Sequence, residues 1–181
     1  EKWHIFGHSM GASVAANMAR LHAEATAGLW FVDGFSFNQI QKKYFKVIGA
    51  VLTTAPAKRW AEAIGYLYFF RYNRIKMLLQ SAYGQLPDRE AIEGYLNPLL
   101  LPGTASCIMD IAESIGTEKP VGVDQLKVPT CFIWGTKDTW RPINKFKSAI
   151  DDLPGVKLFL IEGAGHCPME THSGAVTEFI V

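Results

Sequence analysis

The segment FGHSMGAS, residues 6–13, contains the pattern G-x-S-x-G centred on Ser9. An apolar run, WHIF, precedes it at 3–6, and ASVAANMARLH follows at 12–22 with apolar residues at helical spacing. This order predicts a buried strand, a sharp turn and a helix. On such a turn the backbone is strained and the serine hydroxyl stands above the edge of the sheet, which makes Ser9 a candidate nucleophile.

The residues around Ser9 are the types that this turn requires. Gly7 and Gly11 stand two positions before and after it, where we expect larger side chains to collide at the turn. The N–H of Met10 lies at the start of the predicted helix, so it is expected to stabilise a negative charge that develops above Ser9. The alternative is a serine that only caps the helix.

A serine nucleophile needs a base to accept its proton and an acid to orient that base. The apolar run VPTCFIWG, 128–135, is followed by Asp138, and the run VKLFLIEGAGH, 156–166, ends in His166. Both side chains follow predicted strands, at the same edge of a parallel sheet as the serine. We therefore predict Asp138 as the acid and His166 as the base.

Other titratable residues are weaker candidates. Asp33 follows the apolar run AGLWFVDG, 27–34, and stays open as a rival acid. Cys167 is next to the predicted base but far from the serine turn, so we expect it to fill space. Among the remaining histidines, His8 is expected to pack or to form a local hydrogen bond. We expect His4 inside the first strand, His22 at the end of a helix and His172 at the start of the last helix.

The two ends of the chain differ in pattern from its middle. Apolar runs alternate with helical patterns in 1–34 and 117–181, which predicts an α/β core with a parallel sheet. Residues 35–116 show no strand pattern, and Asp88 is placed to cap a short helix there. We therefore predict an all-helical cap over 35–116.

Five aromatic residues of the predicted cap lie close together in sequence: Trp60, Tyr66, Tyr68, Phe69 and Phe70. We expect them to form the core of the cap. Contact with an apolar or aromatic substrate is the alternative. Nearby basic residues leave a membrane-surface helix as a further alternative.

Composition excludes several classes of protein. The 181 residues are 49% apolar, and 18 Lys and Arg balance 17 Asp and Glu, so nothing indicates a nucleic-acid partner. Three cysteines form no CxxC pair, which indicates reduced thiols and a cytoplasmic protein. No apolar run is long enough to span a membrane.

Three motifs occur in a fixed order: GHSMG at 7–11, WGTKDTWRP at 134–142 and GAGHCPMETH at 163–172. Together they resemble the α/β-hydrolase fold family, in its capped branch of esterase-like and C–C-bond-hydrolase-like enzymes. The resemblance implies an α/β fold: an incomplete α/β-hydrolase parallel sheet with an all-helical cap insertion.

The resemblance also implies a function. Ser9 would be the nucleophile, His166 the base, Asp138 the acid and the Met10 N–H one donor of the oxyanion hole. The implied reaction is hydrolysis of a carboxylic ester or related carbonyl compound, on a small molecule with an apolar acyl group and without metal or organic cofactor. A C–C-bond hydrolase with the same triad and a non-catalytic binding or scaffold domain stay open.

The family has further strands before the serine turn, and a loop there supplies a second oxyanion donor. This chain begins at Glu1 rather than Met, and its first predicted strand follows at once. We therefore expect a fragment whose first strand is an exposed edge and which is poorly active by itself.

Overall fold

The computed structural model describes residues 1–35, 59–60, 63–114, 121–122 and 125–180. The chain divides into two compact units. The first comprises Glu1–Asn38, Ser81–Gln85 and Pro120–Val181, and the second comprises Gln39–Gln80 and Leu86–Lys119. The short segment 81–85 of the predicted cap therefore groups with the first unit. The predicted cap boundaries remain a prediction.

A four-stranded sheet forms the centre of the first unit. Its strands are β1 (Trp3–His8), β2 (Thr26–Val32), β3 (Thr130–Gly135) and β4 (Lys157–Ile161). They are all parallel and lie in the order β1-β2-β3-β4. Each apolar run for which a strand was predicted contains one of these strands. The predicted α/β class with a parallel sheet is confirmed.

Seven α-helices occur in the described residues. They are α1 (Gly11–Leu21), α2 (Tyr72–Tyr83), α3 (Arg89–Leu99), α4 (Thr104–Ser114), α5 (Lys147–Asp151), α6 (Pro168–Thr171) and α7 (Ser173–Ile180). A π-helical turn occupies Gly65–Phe69. No helix in these parts of the chain is both long and apolar enough to cross a membrane.

Both faces of the sheet are covered, because successive side chains of a strand point to opposite faces. On one face Leu29 and Phe31 of β2 pack in the core that includes four alanines of α1: Ala12, Ala15, Ala16 and Ala19. On the other face Trp30 and Val32 pack with Val176 of α7. The small alanine side chains let α1 lie close to the sheet, directly behind the serine turn.

Strand β1 lies at the edge of the sheet and is largely exposed. Trp3 is 66% exposed and Phe6 is 45% exposed, so the run WHIF is not the buried strand that its apolar character indicates. Its place beside β2 at one end of the strand order explains this. The expectation of an exposed first strand is confirmed.

The second unit departs from one expectation, the aromatic core of the cap. Helix α3 itself includes Asn97 and Pro98 in its last turn. Trp60, Tyr68 and Phe69 are exposed and do not form a core, whereas Tyr66 and Phe70 pack edge to face. The aromatic pattern was ambiguous because apolar residues lie on every side of this segment.

The predicted cap of α3 provides a first test. The Asp88 side chain accepts a hydrogen bond of 2.7 Å from the backbone N–H of Ala91. We expect Asp88→Ala to lower the free energy of unfolding by about 1 kcal/mol, because that N–H loses its acceptor. Asp88→Asn is the control, since its amide oxygen still caps. Urea denaturation measures both, and equal losses for the two variants would contradict this role.

Candidate active site

Ser9 lies on the turn between β1 and α1. Its φ is 49°, which is the left-handed region that a non-glycine residue adopts under strain. Its backbone N–H donates to the carbonyl of Val32, at 2.9 Å, and so continues the pairing of β1 with β2. Met10 is the N-cap residue of α1, where the helix dipole favours negative charge.

The two glycines of the turn have different roles. A Cβ at Gly7 would lie 2.6 Å from the Ala15 Cβ, so the close approach of α1 requires glycine there. A Cβ at Gly11 would meet no atom of the described residues within 4 Å. The predicted collision at Gly11 is therefore wrong, because that position faces open space.

His166 lies on the loop between β4 and α6. Its side chain is 3% exposed, and its backbone N–H donates to the carbonyl of Ala82 at 2.6 Å. A Cβ on Gly165 would lie 2.3 Å from that same carbonyl oxygen. The loop therefore packs directly against the C-terminal turn of α2, and only glycine allows this approach at position 165.

Asp138 lies on the turn after β3, and its side chain is fully buried. Its Oδ1 accepts hydrogen bonds of 2.8 Å from the backbone N–H groups of Trp140 and Arg141. A Cβ on Gly135 would lie 2.1 Å from the carbonyl oxygen of Gly165. The turn that carries Asp138 and the loop that carries His166 are therefore in close backbone contact, at Gly135 and Gly165.

The structure brings together the three side chains that the motifs single out. His166 Nδ1 lies 2.8 Å from Asp138 Oδ2, and His166 Nε2 lies 2.8 Å from Ser9 Oγ. A carboxylate can only accept, so Nδ1 carries the hydrogen and Nε2 is free to accept from the serine hydroxyl. This is the arrangement that can remove a proton from Ser9.

Hydrogen bonds keep the acid ionised. Burial by itself would raise the pKa of Asp138, but the hydrogen bonds from His166 and from the Arg141 backbone outweigh it and lower the pKa. An ionised carboxylate at this point stabilises the positive charge that the imidazole gains when it takes a proton.

Asp33, the rival acid, is placed differently. Its Oδ1 accepts from the backbone N–H of Gly135 at 2.9 Å, and the structure brings Asp138 rather than Asp33 into hydrogen-bonding distance of the imidazole. Burial, with a smaller contribution from the charge of Asp138, raises the pKa of Asp33 to about 9. This raised pKa favours the protonated form of Asp33 at pH 7.

A metal ion could in principle use this cluster, since Asp33, Asp138 and His166 each offer an atom within 4.8 Å of the others. The donors are already engaged, however. The hydrogen bond between His166 and Asp138 spans 2.8 Å, which leaves no room for an ion between the two groups. The Arg141 guanidinium adds positive charge beside both carboxyl groups. The donor set therefore fits a hydrogen-bonded network better than a cation.

Two side chains that flank the imidazole were not predicted. The His8 Nε2 donates to the backbone carbonyl of His166 at 2.7 Å, and the two rings lie 5.0 Å apart. The hydrogen bond joins residues 158 positions apart and is therefore not local, whereas the expectation that His8 packs agrees with the contact between the two rings. The centre of the Trp140 ring lies 5.1 Å from the centre of the His166 imidazole. Nothing in the sequence except proximity to Ser9 and Asp138 points to either residue.

The thiol beside the imidazole is unreactive. Cys167 is buried, and burial raises the pKa of its thiol to about 12. A thiol nucleophile acts as its thiolate, so this residue fills space, as its position in the sequence indicates.

The alpha/beta hydrolase family model matches residues 2–179. A pimeloyl-[acyl-carrier protein] methyl ester esterase from Neisseria meningitidis is 27% identical over 175 residues, which are 94% of this chain and 65% of that protein. Lipase 1 from Psychrobacter immobilis is 26% identical over 172 residues, which are 92% of this chain and 50% of that protein. The chain thus spans about half to two thirds of the length of these relatives.

Solved structures share the fold. A thermophilic esterase from Thermogutta terrifontis matches with a TM-score of 0.68 at 22% identity, covering 99% of this chain and 63% of that one. A probable hydrolytic enzyme from Pseudomonas aeruginosa matches with a TM-score of 0.71 at 18% identity, and the match covers 99% of this chain and 62% of that one. Since the family model covers nearly the whole chain, this protein belongs to the alpha/beta hydrolase family.

Proposed function

We propose that this chain carries the catalytic triad of a serine hydrolase that cleaves carboxylic esters through an acyl-enzyme. The observation that supports this proposal is the chain of two hydrogen bonds, each 2.8 Å long, from Ser9 through His166 to Asp138. The strained backbone of the serine and the burial of the other two side chains add support. Strain and burial of this kind are features that reactive sites maintain.

In the first half of the reaction, Ser9 Oγ attacks the ester carbonyl carbon while His166 Nε2 takes the hydroxyl proton. The carbonyl electron pair moves to oxygen, and the resulting oxyanion accepts from the Met10 N–H at the start of α1. Asp138 holds the imidazolium through Nδ1. When the carbonyl re-forms, the ester C–O bond breaks, and the leaving alkoxide takes the proton back from Nε2.

In the second half, water replaces the alcohol. His166 removes a proton from that water, which attacks the acyl carbon bound to Ser9. The tetrahedral oxyanion forms again, and its collapse breaks the bond to Ser9 Oγ as the proton returns to it. A carboxylic acid is released and the serine hydroxyl is restored.

The relatives favour an ester as the substrate class. One is named a methyl ester esterase and another a lipase, and we propose that this chain likewise acts on an ester, with an apolar acyl group. Its triad requires neither a metal nor an organic cofactor for the steps described above.

Mapping of a covalent adduct tests the proposal. The full-length gene product is treated with a fluorophosphonate, digested and analysed by mass spectrometry, with a urea-unfolded sample as the control. We expect a single adduct on Ser9 that the unfolded sample lacks, because reaction requires the folded triad. No adduct, or an adduct on another residue, would contradict the proposal. Cleavage of a diketone without cleavage of esters would favour the C–C-bond alternative.

A further inference from the structure

Asp33 is a buried acid that the mechanism above does not use. It directly follows β2 and has a φ of 45°, and its side chain is fully buried. Its Oδ1 accepts from the Gly135 N–H at 2.9 Å. Its Oδ2 is buried and has no hydrogen-bond partner within the described residues. A buried oxygen of this kind is costly unless it carries a proton that it can donate.

An acceptor close to such a proton is Asp138, the acid of the proposed triad. An oxygen of Asp33 lies within 4.8 Å of an oxygen of Asp138 and of a ring nitrogen of His166. Two buried carboxyl groups this close do not both ionise. Asp138 receives three hydrogen bonds, from His166 and from two backbone N–H groups, whereas Asp33 receives one. The negative charge therefore stays on Asp138 and the proton on Asp33.

Other groups around the pair act in opposite directions. The Arg141 guanidinium opposes protonation of Asp33, but burial and the charge of Asp138 outweigh it and raise the pKa of Asp33 to about 9. Cys167 faces the same region as a neutral thiol. The imidazole of His166 belongs to the same cluster. His8 also interacts electrostatically with Asp138, and Glu170 with Cys167.

We propose that Asp33 is a positioning residue, a neutral carboxylic acid whose O–H donates to Asp138 while its other oxygen is anchored to β3. The proposal rests on the proposed function, since the orientation of Asp138 matters only when His166 serves Ser9. Asp33, directly after β2, would then keep the Asp138 carboxylate oriented toward the His166 imidazole. Asp33 does not touch the substrate.

Conservative and disruptive variants separate this role from a purely structural one. Asn at position 33 can still accept from the Gly135 N–H and donate to Asp138, whereas Leu can do neither. We expect Asp33→Leu to slow fluorophosphonate labelling of Ser9 about 10- to 100-fold and Asp33→Asn to restore the rate. The exposed Asp152→Asn is the control for loss of an acid elsewhere.

The pH dependence of labelling distinguishes a neutral Asp33 from an ionised one. Replacing a neutral acid by Asn changes no charge, so the pH of half-maximal labelling should stay the same. Replacing an ionised Asp33 would remove a negative charge beside the triad and move that pH by about one unit or more. Such a movement, or labelling of Asp33→Leu at the parent rate, would overturn the proposal.

A direct measurement of the proton does not depend on activity. Carbon NMR of protein with labelled aspartate carboxyl groups should show one protonated carboxyl at pH 7, which Asp33→Asn removes. An ionised Asp33 at pH 7 would overturn the proposal, even where Asp33→Leu fails to fold. If Ser9 does not react in the parent protein, the proposed function fails, and the carbon spectrum still decides whether Asp33 donates to Asp138.

Discussion

Replacing Ser9 by alanine is expected to lower ester hydrolysis by the full-length gene product about 10⁶-fold, the scale measured for loss of the nucleophile in a serine protease. The substitution removes the Oγ that lies 2.8 Å from His166 Nε2, so no acyl-enzyme can form. Hydrolysis of a p-nitrophenyl ester gives kcat/KM, and fluorophosphonate labelling gives an independent readout that should vanish.

Ser13 provides the matched control for this prediction. It is an exposed serine in the first turn of α1, so Ser13→Ala removes a hydroxyl four residues from Ser9 without changing Ser9, Asp138 or His166. We expect Ser13→Ala to keep the activity of the parent. Hydrolysis that persists in Ser9→Ala would move the nucleophile to another residue.

Replacing Asp138 by asparagine is expected to lower kcat about 10⁴-fold, with little change in KM. Asp138 Oδ2 accepts from His166 Nδ1, while Oδ1 already accepts two backbone N–H groups. The amide has a single oxygen, so its NH₂ group must face the imidazole and turn it into the wrong tautomer. The ester assay at saturating substrate measures this loss.

Asp152→Asn serves as the control, because Asp152 is exposed after α5. A second comparison is with Asp33→Asn, which should cost far less than Asp138→Asn. The opposite ranking would move the acid of the triad to the end of β2. Circular dichroism of each variant establishes that the loss is in catalysis rather than in folding.

The placement of the candidate site residues could be predicted where a local sequence pattern determines it. Ser9, Asp138 and His166 each follow an apolar run that became a strand, and parallel strands bring their carboxyl ends to one edge of the sheet. The cap of α3 by Asp88 was equally local, since the side chain bonds a residue three positions away. Such features depend on spacing along the chain, which a sequence displays.

The unpredicted features depend on contacts between distant segments. The burial of Asp33 beside Asp138 and the hydrogen bond from His8 to His166 arise when separate loops meet. The prediction for Gly11 was wrong because the G-x-S-x-G pattern suggests a crowded position, whereas a Cβ there would face open space in the structure. The aromatic run at 66–70 is apolar all round, so its period could not distinguish buried from exposed side chains.

The hydrogen bond between Ser9 and His166 joins residues 157 positions apart, and this has a consequence for how the protein folds. Closing a loop of that length costs entropy that is recovered only when the last strand docks. A nascent chain can form the serine turn early, but it lacks a base until β4 and the loop after it have left the ribosome. Under the proposed function, hydrolytic activity would report completed folding of the first unit, and the time at which it appears during refolding would mark the docking of β4.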